Sequence, residues 1–594
     1  MDVIAAVRHY LEKLVGDPQL DGMKALLLDA DTTAVVSMVL SQSHVLRRDV
    51  FLIEPLDTAH EPMPHLKAAV FVRPTSANIE ALRRELKSPK YGQYHIFFAN
   101  IVPPEQLERL ADADERELVQ QVHEYYADFL AVNDTLFHFN LRGATQLSVK
   151  AAASPSTATA GVGTLAPRPA QLFHRSVEGL LSVLLALKKR PTIRYQKGSE
   201  VAEKLAREVS ARMQLEQDGL FDFRRPEVMP LLYVLDRRDD PVTPLLSQWS
   251  YQAMVHELLQ LQENRVDLTN APGVRKDMVE LVLSASSDAF FEKHMHANFG
   301  DLGMAVKQLV DEYQAKTQTH ESIQSIDDMQ RFLDNYPAFR SQSVAVSKHV
   351  TLMGELARRV EVDGLMDVSQ LEQELACGDD HNGHFRDLVA KLKAAPIKPL
   401  NKLRLALLYA LRYETNSSVQ LKVVKDLLVA AGLSAERVAL VDCVLKYGGA
   451  GVRSGDLFGD RGLKKFMRAM TQGVQGVPNV YAQHVPPLVK TLETILKGQL
   501  LDADFGIVNG NATPGVKRVR DVIVFVCGGV TFEEATKVAE LNQRVAAAGQ
   551  RVVLGGTYIH NSTSFLDELA EAYGVGGDRH GSGAATWSYE TKKL

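Results

Sequence analysis

The stretch LLYVLDRRDDPVTPLLSQWSYQAMVHELL, residues 231–259, joins two kinds of structure. Residues 231–235 are an unbroken apolar run, of the kind a parallel sheet covers on both faces. Asp236, Arg237, Arg238 and Asp239 follow at once. Asp240-Pro241 and Thr243-Pro244 then force a turn, because a residue before proline is pushed out of the helical region. Beyond Pro244 the spacing of Trp249, Met254, Leu258 and Leu261 predicts a helix from about Ser247. A sheet ends and a helical region begins across a rigid, charged corner, and such a corner fixes one domain against another.

Outward from it, residues 171–246 alternate helix and strand, and so do residues 477–594. Neither piece has enough strands to stand alone. The economical reading is one α/β domain split by an insert, residues 247–476, that is almost entirely helical. Residues 1–140 form a separate α/β domain, with strands expected at 25–28, 50–53, 68–72 and 95–98 and helices between them. After the last of these strands, helices are expected at 105–110 and 115–130. No glycine-rich phosphate loop follows the first strand. Asp29-Ala30-Asp31-Thr32 stands there, and two acids would repel a phosphate. Residues 141–170 are small, polar and proline-containing, the composition of a mobile linker.

At 594 residues the chain is too long for one core, and three or four domains are expected. Its 45% apolar and 24% charged content is ordinary for a globular protein. A net charge of −6 gives no basic field for nucleic acid. Cys377, Cys443 and Cys527 are far apart, which points to a reducing compartment and away from structural zinc. No secretory leader or membrane span is legible, so the expectation is a cytosolic protein brought to membranes by another one.

Enzyme chemistry finds little support. His256-Glu257 begins like a zinc-protease helix, but Gln260 occupies the second histidine position. His294 and His296 lie two apart and do not share a helix face. The glycine-rich segment 446–462 lacks the Gly-Lys-Ser/Thr end of a P-loop and reads as a loop between helices. Asp236, Asp239 and Asp240 could form a metal cluster, while Arg237 and Arg238 beside them favour internal ion pairs. No catalytic, cofactor or metal residues are assigned, and a nucleotide-dependent enzyme on two α/β domains remains the competing class.

Within the insert, Ile323, Ile326, Met329, Leu333 and Tyr336 recur at three- or four-residue steps, and Pro337 interrupts the pattern. A bend or hinge is expected at that proline.

Four long runs carry a family resemblance: WSYQAMVHELL with NRVDL (249–268), YPAFRSQSVAVSKHVTLMGELARRV (336–360), VFVCGGVTFEEA (524–535) and VLGGTYIHNSTSFL (553–566). In that order they resemble the SM (Sec/Munc) family of syntaxin-binding proteins, most of all its vacuolar-protein-sorting, trans-Golgi/endosome branch. The resemblance implies an arch-shaped multidomain protein that guides SNARE assembly without bond chemistry and without a cofactor. It implies a syntaxin-type SNARE partner, bound as a one-to-one complex, and recruitment through it to Golgi or endosomal membranes. A pocket for a syntaxin N-terminal peptide is expected at Leu107, Val119 and Glu124, between two helices of the first domain. Arg47, Arg48 and Glu54 are expected to line a central cleft. A helical hairpin around 300–356, hinged at Pro337, is expected to offer Val350 and Leu352 to a vesicle SNARE. A tethering subunit that binds no SNARE is the further alternative.

Overall fold

The computed structural model describes the backbone of residues 1–152, 167–321, 326–455, 457–458, 481, 483–499, 503–508 and 519–575, and their side chains outside 150–152, 167 and 316–341. Two parallel sheets and a helical region organise them.

The first sheet has the order β2-β1-β3-β4-β5 and is parallel throughout: β1 (Lys24–Leu28), β2 (Val50–Pro55), β3 (Met63–Val72), β4 (Tyr91–Phe98) and β5 (Val119–Glu124). All five residues of β1 are buried, as its run KALLL requires of a strand covered on both faces. Helix α1 (Val3–Val15) precedes the sheet, and α2 (Ala30–Val39), α3 (Gln42–Leu46), α4 (Ser76–Lys87) and α5 (Pro104–Ala111) connect its strands. The two acids after β1 are structural. Asp29 caps α2 through Thr32 N–H at 2.7 Å and also accepts from Arg73 N–H at 2.7 Å. Asp31 pairs with the Arg73 guanidinium at 3.2 Å.

The helix expected over 115–130 is a correction: β5 is a strand, and β6 (Leu130–Asn133) begins where that helix was to end. Val119 and Val122 are three apart, a helical spacing, and pairing with the edge of β4 made the segment a strand instead. β5 is an edge strand, and its Val122 is 41% exposed.

The second sheet has the order β12-β8-β9-β13-β15-β7-β6. β8 (Thr192–Gln196), β9 (Leu231–Asp236), β13 (Asp521–Cys527) and β15 (Arg551–Gly556) form its parallel centre. The short strands β10 (Arg265–Asp267) and β11 (Glu280–Val282) pair apart from it, so the insert is not wholly helical. β9 lies directly against β13, with Leu231 opposite Val522 and Asp236 opposite Cys527. Strands from either side of the insert thus share one sheet. β12 (Phe505–Ile507) adds an antiparallel edge on β8. At the other edge stand β7 (Leu136–His138), parallel to β15, and β6, antiparallel to β7. These two strands come from within residues 1–140, so the first segment supplies an edge of the second sheet instead of closing on itself. β14 (Val530–Thr531) and β16 (Ile559–His560) form a small parallel pair.

The linker expected over 141–170 is also corrected in part. Helix α6 (Thr145–Ala152) forms there, with Thr145 and Ser148 buried. Ser148 donates to Asp236 at 3.0 Å and Thr145 to Glu568 at 2.8 Å. Small polar residues that read as a linker pack here because buried carboxylates receive their hydroxyls. Residues 153–166 of the expected linker lie outside the described ones. Helices α7 (Pro167–Ala186) and α8 (Glu200–Leu215) follow.

The charged corner ties these parts together. Asp236 caps a tight turn, and Arg238 Nε donates to it at 3.0 Å. Arg237 makes a two-pronged bond to Glu534, at 2.8 and 2.9 Å, and reaches Asp240 at 3.2 Å. Helix α9 starts only at Tyr251 (Tyr251–Leu259), since residues 247–250 run as irregular chain held by side chains. Trp249 Nε1 donates to Ser369 at 2.8 Å. Arg404, almost fully buried, donates to Leu245 O at 2.8 Å, Ser247 Oγ at 2.9 Å and Glu372 at 2.6 Å. The insert continues through α10 (Ala289–His294), α11 (Phe299–Glu321), α12 (Ile326–Val362), α13 (Leu365–Cys377), α14 (His381–Lys393), α15 (Pro399–Arg412), α16 (Leu421–Ala430) and α17 (Ala435–Gly448). Helices Pro487–Leu496, Phe532–Val545 and Ser562–Ala572 follow among the described residues.

Candidate functional site

No described group of His, Cys, Asp and Glu side chains is arranged to hold a metal ion. The residues that tempted an enzyme reading are structural. Glu257 accepts from Ser562 N–H at 2.9 Å and from the Ser562 hydroxyl, joining α9 to the last described helix. His256, His138 and His560 lie buried near one another. Burial above all pushes each imidazole down to about 3, helped at His256 by Arg142 and at His560 by Arg237. His296 meets Thr536 at 3.0 Å, and burial lowers it to about 4. Neutral, buried imidazoles of this kind serve packing. The aspartates of the corner are bonded to Arg237, Arg238 and the hydroxyls of Thr243, Ser199 and Ser454. In the glycine-rich segment, Arg453 donates to Gly448 O at 2.8 Å and Ala450 N–H donates to Glu414 at 2.8 Å. Residues 456 and 459–462 of that segment lie outside the described ones.

Three surfaces remain from the expected site residues. The first lies between α5 and β5. Leu107 and Val119 both pack, half-buried, on the core formed by β1, β3, β4 and α4. The two helices expected to flank these residues are a helix and an edge strand. Glu124 is already engaged: Oε1 accepts from Val102 N–H at 2.7 Å and Oε2 from Tyr126 Oη at 3.0 Å. A carboxylate has about four acceptor positions, so capacity for a further donor remains.

The second surface runs along β2. Arg47 and Arg48 are exposed in the turn before β2, and Glu54 is near its far end, opposite Leu27. The strand from Val50 to Glu54 rises about 13 Å between them. Glu54 is also occupied, accepting from Tyr91 Oη at 2.7 Å and contacting His60 at 2.8 Å. The strand exposes Phe51, at 68%; Leu46, five residues before it, and Met23, next to the Lys24 that pairs with Val50, are exposed too. The sequence signal was present, since Phe51 alternates with the buried Val50, but an apolar residue reads by default as core.

The third surface is the hairpin of α11 and α12, which pack against each other. Helix α12 runs unbroken through Pro337, so the expected interruption is a correction. Proline removes one backbone donor, and the turns on both sides of it carry the helix onward. The side chains of the apolar repeat and of Pro337 lie outside the described ones. Val350 is 43% exposed but Leu352 is fully buried in the main core. Two positions apart on a helix do not face the same way, so only Val350 is on offer. The base of α12 is pinned by His349, which contacts Tyr251 Oη at 2.9 Å and Asp288 at 3.2 Å. Burial opposes the Asp288 charge, yet the His349 hydrogen bond and Lys348 hold its carboxyl well below the usual range.

The chain is similar to known proteins along most of its length. The Sec1 family model matches residues 24–568. The vacuolar protein sorting-associated protein 45 homolog of Arabidopsis thaliana is 44% identical over 576 residues, covering 96% of this chain and 98% of that protein. The vacuolar protein sorting-associated protein 45 of Homo sapiens is 43% identical over 571 residues, covering 96% of each. Among solved structures, the SM protein Vps45 in complex with the Qa SNARE Tlg2 superposes with a TM-score of 0.86 at 42% identity, covering 97% of this chain and 99% of that one.

Proposed function

The chain belongs to the Sec1 family, and on that premise we propose that it regulates SNARE-mediated vesicle traffic by binding a syntaxin-type SNARE and guiding its assembly with partner SNAREs. The observation that carries this reading is the full-length likeness to an SM protein solved with a Qa SNARE bound. The activity is shape complementarity to helical segments, with no covalent step. The α5–β5 surface, with Leu107, Val119 and Glu124, receives the SNARE's N-terminal peptide. Arg47, Arg48 and Phe51 contribute to the surface that contacts its helical core. The exposed face of α12 around Val350, continuous through Pro337, receives the vesicle SNARE. No described helix is long and apolar enough to cross a membrane, and the protein reaches trans-Golgi or endosomal membranes through its SNARE.

The test is calorimetric titration of a syntaxin-type N-terminal peptide into the parent and Leu107→Arg. Burying an apolar anchor contributes about 1.5–3 kcal/mol, so the variant should bind at least tenfold more weakly. Equal affinity for both proteins would remove the pocket assignment, and failure of the parent to bind any syntaxin-type SNARE would remove the function.

A further inference from the structure

A cavity of about 390 Å³ opens where β8 and β9 begin, at the end of the second sheet opposite the charged corner. Compact ligand pockets start at roughly 300 Å³. Five cations line it, Lys188, Lys189, Arg190, Arg224 and Arg225, and no acid does. Asp521 offsets Lys189, and the lining itself keeps an excess of positive charge on a chain whose net charge is −6.

The backbone builds this arrangement. Helix α7 closes with Lys188 N–H on Leu185 O and Lys189 N–H on Leu184 O, at 3.0 and 2.9 Å. That closure holds Lys188 at φ 52°, a left-handed conformation usually left to glycine. Two of the five cations are engaged: Lys189 pairs with Asp521 at 2.6 Å and Arg190 donates to Gln217 at 2.6 Å. Lys188, Arg224 and Arg225 are exposed and make no ion pair or side-chain hydrogen bond among the described residues. The two arginines are consecutive, on the segment that leads into β9. Buried Met213 and half-buried Phe223 give the cavity an apolar wall, and Met229 at its rim is 42% exposed. Leu215, next to the lining residue Gln214, is 79% exposed.

We propose that this cavity binds a phosphorylated anionic headgroup of the inositol phosphate class. Guanidinium forks match phosphate oxygens in pairs, and the engaged Lys189 and Arg190 hold the rim in place while the free cations take the ligand. The exposed Leu215 and Met229 suit a headgroup presented at a lipid surface, where apolar side chains enter the interface beside the charges. This site is independent of the SNARE-binding reading, and it would give the protein a membrane contact of its own.

The full chain is tested with two probes: soluble inositol trisphosphate by calorimetry, and phosphatidylcholine vesicles with or without phosphatidylinositol phosphate by co-sedimentation. Binding should weaken as salt is raised. The variant R224E/R225E should lose about tenfold per arginine, and K422E/R386E, which changes the same charge on exposed positions elsewhere, should bind like the parent. Binding of both probes supports the site with a free or a lipid-borne headgroup. Binding of phosphoinositide vesicles alone supports it as a membrane contact. No binding of either probe, an unaffected R224E/R225E, or an equal loss in K422E/R386E overturns it.

Discussion

The Arg237–Glu534 pair offers a quantitative test of how the corner holds the split sheet together. Arg237 sits on the corner after β9, and Glu534 is the third residue of the helix that follows β13 and β14. The side chains are 4% and 0% exposed. Replacing Arg237 with Met removes both guanidinium bonds. Glu534 then keeps only its cap donors, the Thr531 N–H at 2.9 Å and hydroxyl at 3.1 Å, as a buried and uncompensated charge. Asp240 is less affected, because Val242 and Thr243 N–H groups still reach it at 3.1 and 3.0 Å. Breaking one side of a buried pair costs about 3–5 kcal/mol. The Arg237 Nε makes no hydrogen bond among the described residues, which places the loss near the lower end of that range. About 3 kcal/mol corresponds to roughly a hundredfold in an opening equilibrium. A chain with several domains does not unfold in one step, so hydrogen exchange resolved by peptide is the suitable assay. Amides of β9 and β13 should exchange about a hundredfold faster in Arg237→Met, while β1, β3 and β4 stay as they were. Adding Glu534→Gln keeps the cap and removes the stranded charge, and should recover part of the loss. Unchanged exchange in β9 and β13, or an equal acceleration in the first sheet, would refute the role assigned to the corner.

Other outcomes follow from single positions. Val350→Asp should weaken vesicle-SNARE capture with the fold intact, whereas Leu352→Asp should cost several kcal/mol of stability; circular dichroism and pull-down separate the two. Pro337→Ala restores a backbone donor inside α12, worth up to about 3 kcal/mol to a helix, and should strengthen vesicle-SNARE binding; weaker or equal binding would count against the hairpin's role. Arg404→Ala strands Glu372, whose carboxyl burial already pushes up, and should lower stability by about 3–5 kcal/mol, read as a lower thermal midpoint. His138, His256 and His560 have folded values lowered to about 3. Their stabilising contribution is therefore present above the unfolded value of about 6.5 and is lost as pH falls below it. Between pH 6.5 and 5.5 the three should together cost about 3 kcal/mol, measurable as a pH-dependent denaturation midpoint that His→Gln variants flatten.

Much of the architecture was legible because it rests on local patterns. The apolar run before Asp236, the dense charge after it and the two Asx/Thr-Pro steps marked the end of a buried strand and a domain corner, and β9, the corner and α9 stand there in that order. Alternation on both sides of the insert implied a single split sheet, and β9 against β13 is that pairing. What could not be read locally was pairing across long distances. Residues 115–130 carry charges and apolar groups at spacings that fit helix or strand, and only the open edge beside β4 made β5 a strand. β6 and β7 belong to the second sheet because β15 offers an edge nearby, a fact with no trace in residues 130–138 themselves. Leu352 and Val350 look alike in sequence, and packing of α12 on the insert buried one and left the other outside. The cationic cavity is likewise a product of folding. Lys188–Arg190 and Arg224–Arg225 are two unremarked pieces of chain until β8 and β9 set their starts side by side. Periodicity and turn chemistry act over a few residues and are written in order along the chain, whereas edges, cavities and exposure depend on which distant segment arrives alongside, which is settled only when the sheets close.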